Sequence, residues 1–285
     1  MRSRSLLSTL LGALLLVGLM GCTGGNQITH SGPEEAYKKG MDEYEDEDYE
    51  DAIQYFRAVF DYGRGNEWAP DAQFQLAMAQ RKQGKYLVAA NEFERFQQLY
   101  RTDDRVPRAQ YERARAYYSQ SPSYHLDQSH TKQAISLFQL FIDRYPDHEL
   151  VSDAEEKVAE LREKLAHKKY DAGTMYEQRR MWRAATETYE RVFDQYPDTE
   201  WADNALLGAV RSYVRYADRS IARRQAERYQ QAIDYYARLE QLFPDSPLLD
   251  KAKPLRDEAE RKLEDVRERE ERQSLAEEDT LGDAR

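Results

Sequence analysis

The chain has 285 residues, 33% of them charged, and a formal net charge of −11. An acidic surface repels nucleic acid and anionic lipid headgroups, so neither is expected as a ligand. The chain contains one cysteine, which excludes internal disulfides and cysteine-based metal clusters.

The first 21 residues have the features of a secretory signal. Two arginines, Arg2 and Arg4, precede an uncharged apolar run that ends in small residues before Cys22. This run is shorter than the roughly 20 residues that a transmembrane helix needs. Residues 1–21 are therefore predicted to be a signal peptide and not a membrane span.

The four residues that end at Cys22, LMGC, resemble the lipobox of bacterial lipoproteins. The resemblance implies cleavage before Cys22, a diacylglycerol on its sulfur and acylation of the new amino terminus, which together anchor a protein to a membrane. The alternative is an ordinary secretory signal with an incidental cysteine. The next residue is Thr23 and not Asp, which by resemblance to the enterobacterial sorting rule implies the outer membrane, facing the periplasm. Residues 22–33 are predicted to be a flexible tether.

Helical patterning dominates from residue 34 onward, and five segments align with one another. Each has an alanine, an aromatic residue four positions later, and a second alanine 20 positions after the first. The first alanines are Ala52, Ala89, Ala134, Ala185 and Ala232, the aromatic residues are Phe56, Phe93, Phe138, Tyr189 and Tyr236, and the second alanines are Ala72, Ala109, Ala154, Ala205 and Ala252. Small residues at a fixed spacing predict a repeated unit of two helices in close contact.

This pattern resembles the tetratricopeptide repeat, whose small eighth residue is matched by Gly40, Ala77, Ala114 and Gly173. In three copies the turn after the second helix reads aromatic-Pro-Asp. Proline ends one helix, and the Asp or a residue just after it can cap the next. We predict an all-α tetratricopeptide-repeat solenoid, with five helix-turn-helix repeats over residues 34–253, a charged capping helix over 254–272 and a disordered acidic tail over 273–285.

Three repeats are longer than the others. The third carries a loop, SQSPSYHLDQSH, after its first helix. In the fourth, the additional length is close to four helical turns. It predicts one long helix, VSDAEEKVAELREKLAHKKYDAGTMYEQ, with Ala154, Val158, Leu161 and Leu165 in phase. The fifth carries a basic insertion, DRSIARRQAE.

The sequence contains no recognisable catalytic or cofactor motif. Its five histidines lack the spacing of a zinc hydrolase, and neither a phosphate-binding glycine loop nor a nucleophile elbow is present. His125 and His130 share the third-repeat loop, where a metal would need a third ligand such as Asp127, and solvated loop histidines are the favoured interpretation. The acidic run DEYEDEDYED lacks calcium-loop spacing and is interpreted as a solvated helix end, with attraction of basic peptides as the alternative. We predict no enzyme activity, no metal and no cofactor.

Tetratricopeptide arrays bind peptides on the face lined by the first helix of each repeat. By resemblance, the residues on that face are Tyr37, Met41, Tyr44, Phe74, Met78, Arg81, Tyr111, Arg115 and Tyr118. Aromatic and Met side chains with two cations suit an extended peptide that has aromatic residues and a free carboxylate. Packing between neighbouring helices is the alternative for each residue. The fifth repeat presents Arg211 and Arg215 instead, which predicts a second, separate partner-binding region.

The lipobox, the five repeats, the long fourth-repeat helix and the YPDT turn together resemble the YfiO (BamD) family of lipoproteins of the outer-membrane β-barrel assembly machine. The resemblance implies a non-enzymatic scaffold that binds the POTRA-domain barrel-inserting subunit through its C-terminal repeats and also meets other assembly lipoproteins. It further implies that the N-terminal repeats receive the C-terminal targeting strand of unfolded outer-membrane proteins. The alternative is a pilotin-like or cell-envelope tetratricopeptide lipoprotein that escorts a secretin or coordinates wall synthesis.

Overall fold

The computed structural model describes residues 28–282, with side chains described through residue 276. Every regular element in this range is helical. The α-helices are α1 (Pro33–Glu45), α2 (Tyr49–Ala58), α3 (Ala69–Lys82), α4 (Tyr86–Leu99), α5 (Val106–Ser119), α6 (Ser129–Arg144), α7 (Val151–Gln178), α8 (Trp182–Gln195), α9 (Trp201–Asp218), α10 (Ala222–Leu242) and α11 (Leu249–Gly282). A short 3-10 helix, Val59–Tyr62, follows α2. No helix among the described residues is both long and apolar enough to cross a membrane.

The helices follow the predicted order of two per repeat. Helix α1 packs on α2, α3 on α4, α7 on α8 and α9 on α10, and α5 meets α6 through Tyr111 and Phe138. The predicted fold class, an all-α tetratricopeptide-repeat protein, is confirmed. The described chain forms two compact units, the first ending at Ala109 and the second beginning at Gln110.

The repeated alanines all lie in the hydrophobic core clusters between the helices. All ten are fully buried, with no solvent-exposed surface: Ala52, Ala72, Ala89, Ala109, Ala134, Ala154, Ala185, Ala205, Ala232 and Ala252. The aromatic residues four positions after the first alanines are buried as well. Burial of these aromatic side chains contributes the largest apolar areas in each repeat.

The eighth repeat position is small because an aromatic ring lies directly over it. In the first unit, a Cβ atom placed on Gly40 would lie 2.8 Å from the Phe56 ring. In the second unit, a Cβ on Gly173 would lie 2.7 Å from Tyr189, and one on Gly208 would lie 2.8 Å from the same ring. Tyr189 is therefore held between the backbones of α7 and α9, which no larger residue would allow.

The long fourth-repeat helix is confirmed as α7, which spans the 28 residues Val151–Gln178 without a break. Ala154, Leu161 and Leu165 are buried along it, and Val158 is partly buried against the same core. The third-repeat loop is also confirmed, since α5 ends at Ser119 and α6 begins at Ser129.

The aspartates of the aromatic-Pro-Asp turns do not cap the following helices. The residues after two of them accept backbone N–H groups instead: His148 Nδ1 accepts from Leu150 at 3.1 Å, and Ser246 Oγ accepts from Leu248 at 3.2 Å. Asp198 is bound by Arg162 of α7. Asp198 therefore joins its turn to α7 through Arg162.

The C-terminal helix differs from its predicted bounds. Helix α11 begins at Leu249, contains Pro254 and continues to Gly282, so residues 273–282 are helical and not disordered. Pro254 lies near the start of the helix, where only one hydrogen bond is lost. Beyond it, Ala259, Leu263 and Val266 are buried against Tyr229 and neighbouring residues. The rest of the helix is charged, and Glu and Arg are strong helix formers even without an apolar face.

Candidate protein-binding surfaces

The predicted groove residues of α1 lie on one side of the first unit, partly buried. The Tyr37 ring lies 5.3 Å from Trp68 and 5.9 Å from Phe56, centroid to centroid. Met41 and Tyr44 pack at the edge of the same core, and Tyr44 makes an edge contact with Tyr49 at 5.4 Å. Burial raises the pKa of Tyr37, with a further contribution from the Asp71 carboxylate. These side chains are partly exposed and pack against the core, which suits them to contact an apolar ligand.

The predicted groove residues of α3 are also half-buried. Phe74 lies edge-on to Phe93 and Phe96, and Met78 packs against the same cluster. Arg81 is partly buried at the end of α3. The structure thus places all six predicted residues of the first unit on the first helices of its two repeats, with part of each side chain accessible to solvent.

One cation of the first unit was not expected from the sequence. Arg105 lies over the rings of Phe74 and Phe96 at 5.5 and 5.4 Å. Its guanidinium donates to Asp103 at 2.7 and 2.8 Å and also to Asp71. Because both carboxylates compensate its charge, Arg105 fixes the aromatic cluster in place and is a weak candidate for binding an anion.

The third-repeat residues depart from the expectation of an open groove. Tyr111 is only 3% exposed, between Phe138 and Phe141, and its hydroxyl donates to Asp153. It is a core residue, because α6 covers this side of α5. Arg115 is paired with Glu112 at 3.5 Å. The hydroxyl of Tyr118 donates to Glu160, and this hydrogen bond, followed by burial, raises the pKa of Tyr118 to about 12.

The two arginines predicted to bind a partner have carboxylate partners within the second unit. Arg211 of α9 donates to both carboxylate oxygens of Glu177 on α7, with one contact at 2.7 Å. Arg215 pairs with Asp218 and with Glu258 of α11, each at 3.2 Å. Both side chains remain partly exposed, and their ion pairs join α9 to α7 and to α11.

The third-repeat loop lies against α7 through a stack of rings. Tyr124 stacks on His167 at 3.8 Å, and His167 stacks on Trp201 at 4.0 Å with the planes 10° apart. His125 also contacts Tyr124 at 3.8 Å, and His130 lies 6.0 Å from Tyr117. The loop histidines are thus in ring contacts, which agrees with their interpretation as ordinary loop residues.

The acidic run of the first repeat brings three carboxylates together. Oxygens of Glu43, Asp48 and Asp51 lie within 4.8 Å of one another. Asp48 caps α2 by accepting the Asp51 N–H at 3.3 Å. Burial and four neighbouring aspartates raise the pKa of Glu43. Acidic surface groups are commonly this close without an ion, so the cluster assigns no metal. The predicted lipidation residue, Cys22, lies outside the described residues, as does the signal peptide.

The paired helices, the buried alanines and the partly exposed aromatic face define a tetratricopeptide-repeat protein. A family model described as YfiO, an outer membrane lipoprotein, matches residues 30–227. The chain therefore belongs to the YfiO family, as its sequence predicted.

Curated relatives support the same assignment. The chain is 26% identical to the outer membrane protein assembly factor BamD of Caulobacter vibrioides, over 72% of this chain and 69% of that protein. It is 28% identical to BamD of Rickettsia prowazekii, over 73% and 84% of the two chains. These relatives are assembly factors and not enzymes, and the chain is a non-enzymatic member of their family. A solved tetratricopeptide-repeat protein from Bacteroides fragilis is similar at 14% identity and a TM-score of 0.44, over 81% of this chain and 99% of that one.

Proposed function

We propose that the protein is a lipid-anchored scaffold of outer-membrane β-barrel assembly, held to the outer membrane through Cys22 and facing the periplasm. The observation that carries this proposal is the match to the YfiO family over residues 30–227, together with relatives whose names give that role. The fold supports it, since tetratricopeptide repeats present side chains for protein binding without a buried catalytic cavity.

The first unit is proposed to bind the C-terminal strand of unfolded outer-membrane proteins. Such a strand ends in an aromatic residue and a carboxylate. The half-exposed rings of Tyr37 and Phe74, with Met41 and Met78 beside them, offer an apolar surface for the aromatic residue. Arg81 at the end of α3 is proposed to meet the carboxylate.

The last repeats are proposed to bind the barrel-inserting subunit through its POTRA domains. The exposed parts of Arg211 and Arg215, with Glu177 and Glu258 beside them, offer charges of both signs on α7, α9 and α11. A surface with alternating charges favours one orientation of a charged partner more than it adds affinity. Other assembly lipoproteins are proposed as further partners.

Isolation of the lipidated protein from its own membrane tests the main proposal. The detergent-solubilised complex, captured through a C-terminal tag and analysed by mass spectrometry, is expected to contain a POTRA-domain barrel-inserting protein. A Cys22→Ala variant is the matched control for anchoring and is expected to leave the membrane fraction. Recovery of a secretin or of cell-wall synthases in place of the barrel-inserting protein would contradict the proposal.

Peptide binding tests the role of the first unit. A fluorescent peptide that ends in Phe with a free carboxylate is expected to bind the wild type. The double variant Met41→Gln/Met78→Gln is expected to weaken this binding about tenfold, because both apolar contacts are lost. The control is Leu99→Gln, a residue 48% exposed on α4 and away from the proposed face. Equal affinities for all three proteins would exclude this face as the peptide site.

A further inference from the structure

A pocket in the second unit carries an unusual concentration of positive charge. An open cavity of about 500 Å³ lies between the third-repeat loop and the helices α6, α7 and α8. Its cationic lining residues are Lys132 of α6, Lys168 and Lys169 of α7, and Arg191 of α8. These four residues are called the basic pocket here. Each of the three helices contributes at least one of these cations.

The cations of the basic pocket lack carboxylate partners. Among residues 28–276, none of the four makes an ion pair within 4.0 Å. Lys168 and Lys169 are partly buried, whereas Lys132 and Arg191 are exposed. Lys168 donates to the backbone carbonyls of His125 and Leu126 at 3.1 and 2.7 Å. Lys169 donates to the side-chain oxygen of Gln195. Neutral acceptors thus hold two of the ammonium groups in place without compensating their charge.

Asp127 is the single acidic residue in the lining. Its carboxylate is already engaged by Ser129, which is the main cause of its lowered pKa, with smaller contributions from Lys132 and Lys168. Four cations against one carboxylate leave three positive charges uncompensated. Burial, followed by the charges of Arg191 and Lys132, lowers the pKa of Lys169. Binding of an anion is therefore favourable at this site, because it relieves the repulsion between partly desolvated cations.

We propose that the basic pocket binds an acidic segment of a partner protein through two or more carboxylate side chains. This inference rests on the proposed function, because a scaffold of an assembly machine acts by binding segments of other proteins. It also gives a role to the third-repeat loop and the long α7 helix, which together form most of the pocket wall.

The rest of the lining favours a peptide over a lipid headgroup. Leu165, Ala172 and Tyr176 of α7 line the same cavity and offer apolar contacts to the aliphatic parts of a bound segment. The Tyr196 ring lies 5.8 Å from the Lys169 ammonium group at the other side. The chain as a whole has a net charge of −11, so long-range attraction to an anionic membrane surface is not expected.

Fluorescence anisotropy with the full mature chain tests this inference. The probe is a fluorescein-labelled peptide of alternating Glu and Gly, and the reference probe has Lys in place of Glu. The wild type is expected to bind the Glu peptide and not the Lys peptide. Its affinity for the Glu peptide is expected to fall as the salt concentration is raised. Lys169→Gln/Arg191→Gln is expected to weaken binding about tenfold or more, since two charge-assisted contacts are lost.

Two further variants distinguish a loss of peptide binding from a loss of folding. Lys132→Gln changes an exposed side chain, and it is expected to weaken Glu-peptide binding with no change in the urea midpoint. Arg223→Gln removes an exposed cation of α10 outside the pocket and is expected to bind within about twofold of the wild type. Unchanged binding by both pocket variants would overturn the inference, as would equal loss in Arg223→Gln.

The source of the anion is tested with vesicles of phosphatidylglycerol. Binding of vesicles that depends on Lys169 and Arg191, without binding of the Glu peptide, would overturn the inference in favour of a lipid headgroup. This assay uses the purified chain alone, whereas the proposed function is tested by isolation of the complex from the membrane. A negative result here would therefore not contradict the proposed function.

Discussion

Arg105 shows how one side chain stabilises a repeat turn. It joins Asp103 of the turn between α4 and α5 to Asp71 of α3, over the rings of Phe74 and Phe96. The hydrogen bond from Arg105 is the main cause of the lowered pKa of Asp103, whose ordinary value is 3.8, against the opposing effect of burial. Since the folded-state pKa lies below the unfolded value, the pair contributes stability that is complete above 3.8 and is lost as the pH falls through the folded value.

Replacing Asp103 with Asn is expected to lower the free energy of unfolding by about 1 kcal/mol at neutral pH, because the charge is lost while an oxygen remains for the Arg105 N–H. Urea titrations followed by circular dichroism should show this difference shrinking between about pH 5 and about pH 2. The neighbouring exposed residue provides the control, Asp104→Asn, with little change expected. A difference that stays constant with pH would show that the charge of Asp103 is not the cause.

Gly173 is a second residue whose identity is set by a single contact. An alanine there would place its Cβ 2.7 Å from the Tyr189 ring, and a Cβ on Gly208 of α9 would lie 2.8 Å from the same ring. The ring therefore cannot move away, and overpacking is expected to exceed the gain in helix propensity. Gly173→Ala should lower the unfolding free energy by about 1 to 2 kcal/mol. Gly65→Ala, where no atom lies within 4 Å of an added Cβ, is the control in the same urea titration.

At the scale of the elements, α7 and α9 are tied by the pair of Glu177 and Arg211. Glu177 is 17% exposed and also accepts the hydroxyl of Tyr189 at 2.9 Å. Arg211→Ala is expected to cost about 1 to 3 kcal/mol of stability, because it leaves a half-buried carboxylate without its cation. A double-mutant cycle with Glu177→Gln should show coupling between the two residues. Unchanged stability together with lost partner binding would instead support the role in binding predicted from the sequence.

The sequence predicted the elements where a regular spacing marks them. The alanine and aromatic positions identified the helix pairs, and the in-phase residues Ala154, Leu161 and Leu165 identified α7. The end of α11 could not be predicted in this way, because residues 267–276 are exposed and carry no apolar period. The high charge of this segment predicted a disordered tail, whereas Glu and Arg are also strong helix formers.

The candidate sites were predicted less completely than the elements. Tyr111 has the same repeat position as the half-exposed Tyr37 and Phe74 sites, and only the packing of α6 shows that it is buried. The carboxylate partners of Arg211 and Arg215 come from α7 and α11, far away in sequence. The basic pocket could not be predicted from the sequence, because its cations come from the three helices α6, α7 and α8, which only the fold brings together.

At the scale of the whole molecule, stability in a repeat protein is close to a sum of contacts between neighbouring helices. Helix α11 closes the last repeat: Ala259, Leu263 and Val266 cover Tyr229 and Val214. The same helix supplies Lys262, which donates to Asp218 and to Glu258. From residue 267 through residue 276 its side chains are exposed. The two halves of α11 should therefore contribute very differently to stability.

Two truncations of the mature chain test this. Removal of residues 249–285 is expected to expose the last core cluster and to cost about 3 kcal/mol or more locally, from burial of two large aliphatic side chains alone. Removal of residues 271–285 should change little, because no described side chain in that segment is buried. Hydrogen exchange should show faster amide exchange in α9 and α10 after the longer truncation, with α1 to α4 unchanged. Equal loss of protection in all helices after the longer truncation would mean that the array unfolds as one cooperative unit. Loss of protection after the shorter truncation would mean that the exposed end of α11 is needed for folding.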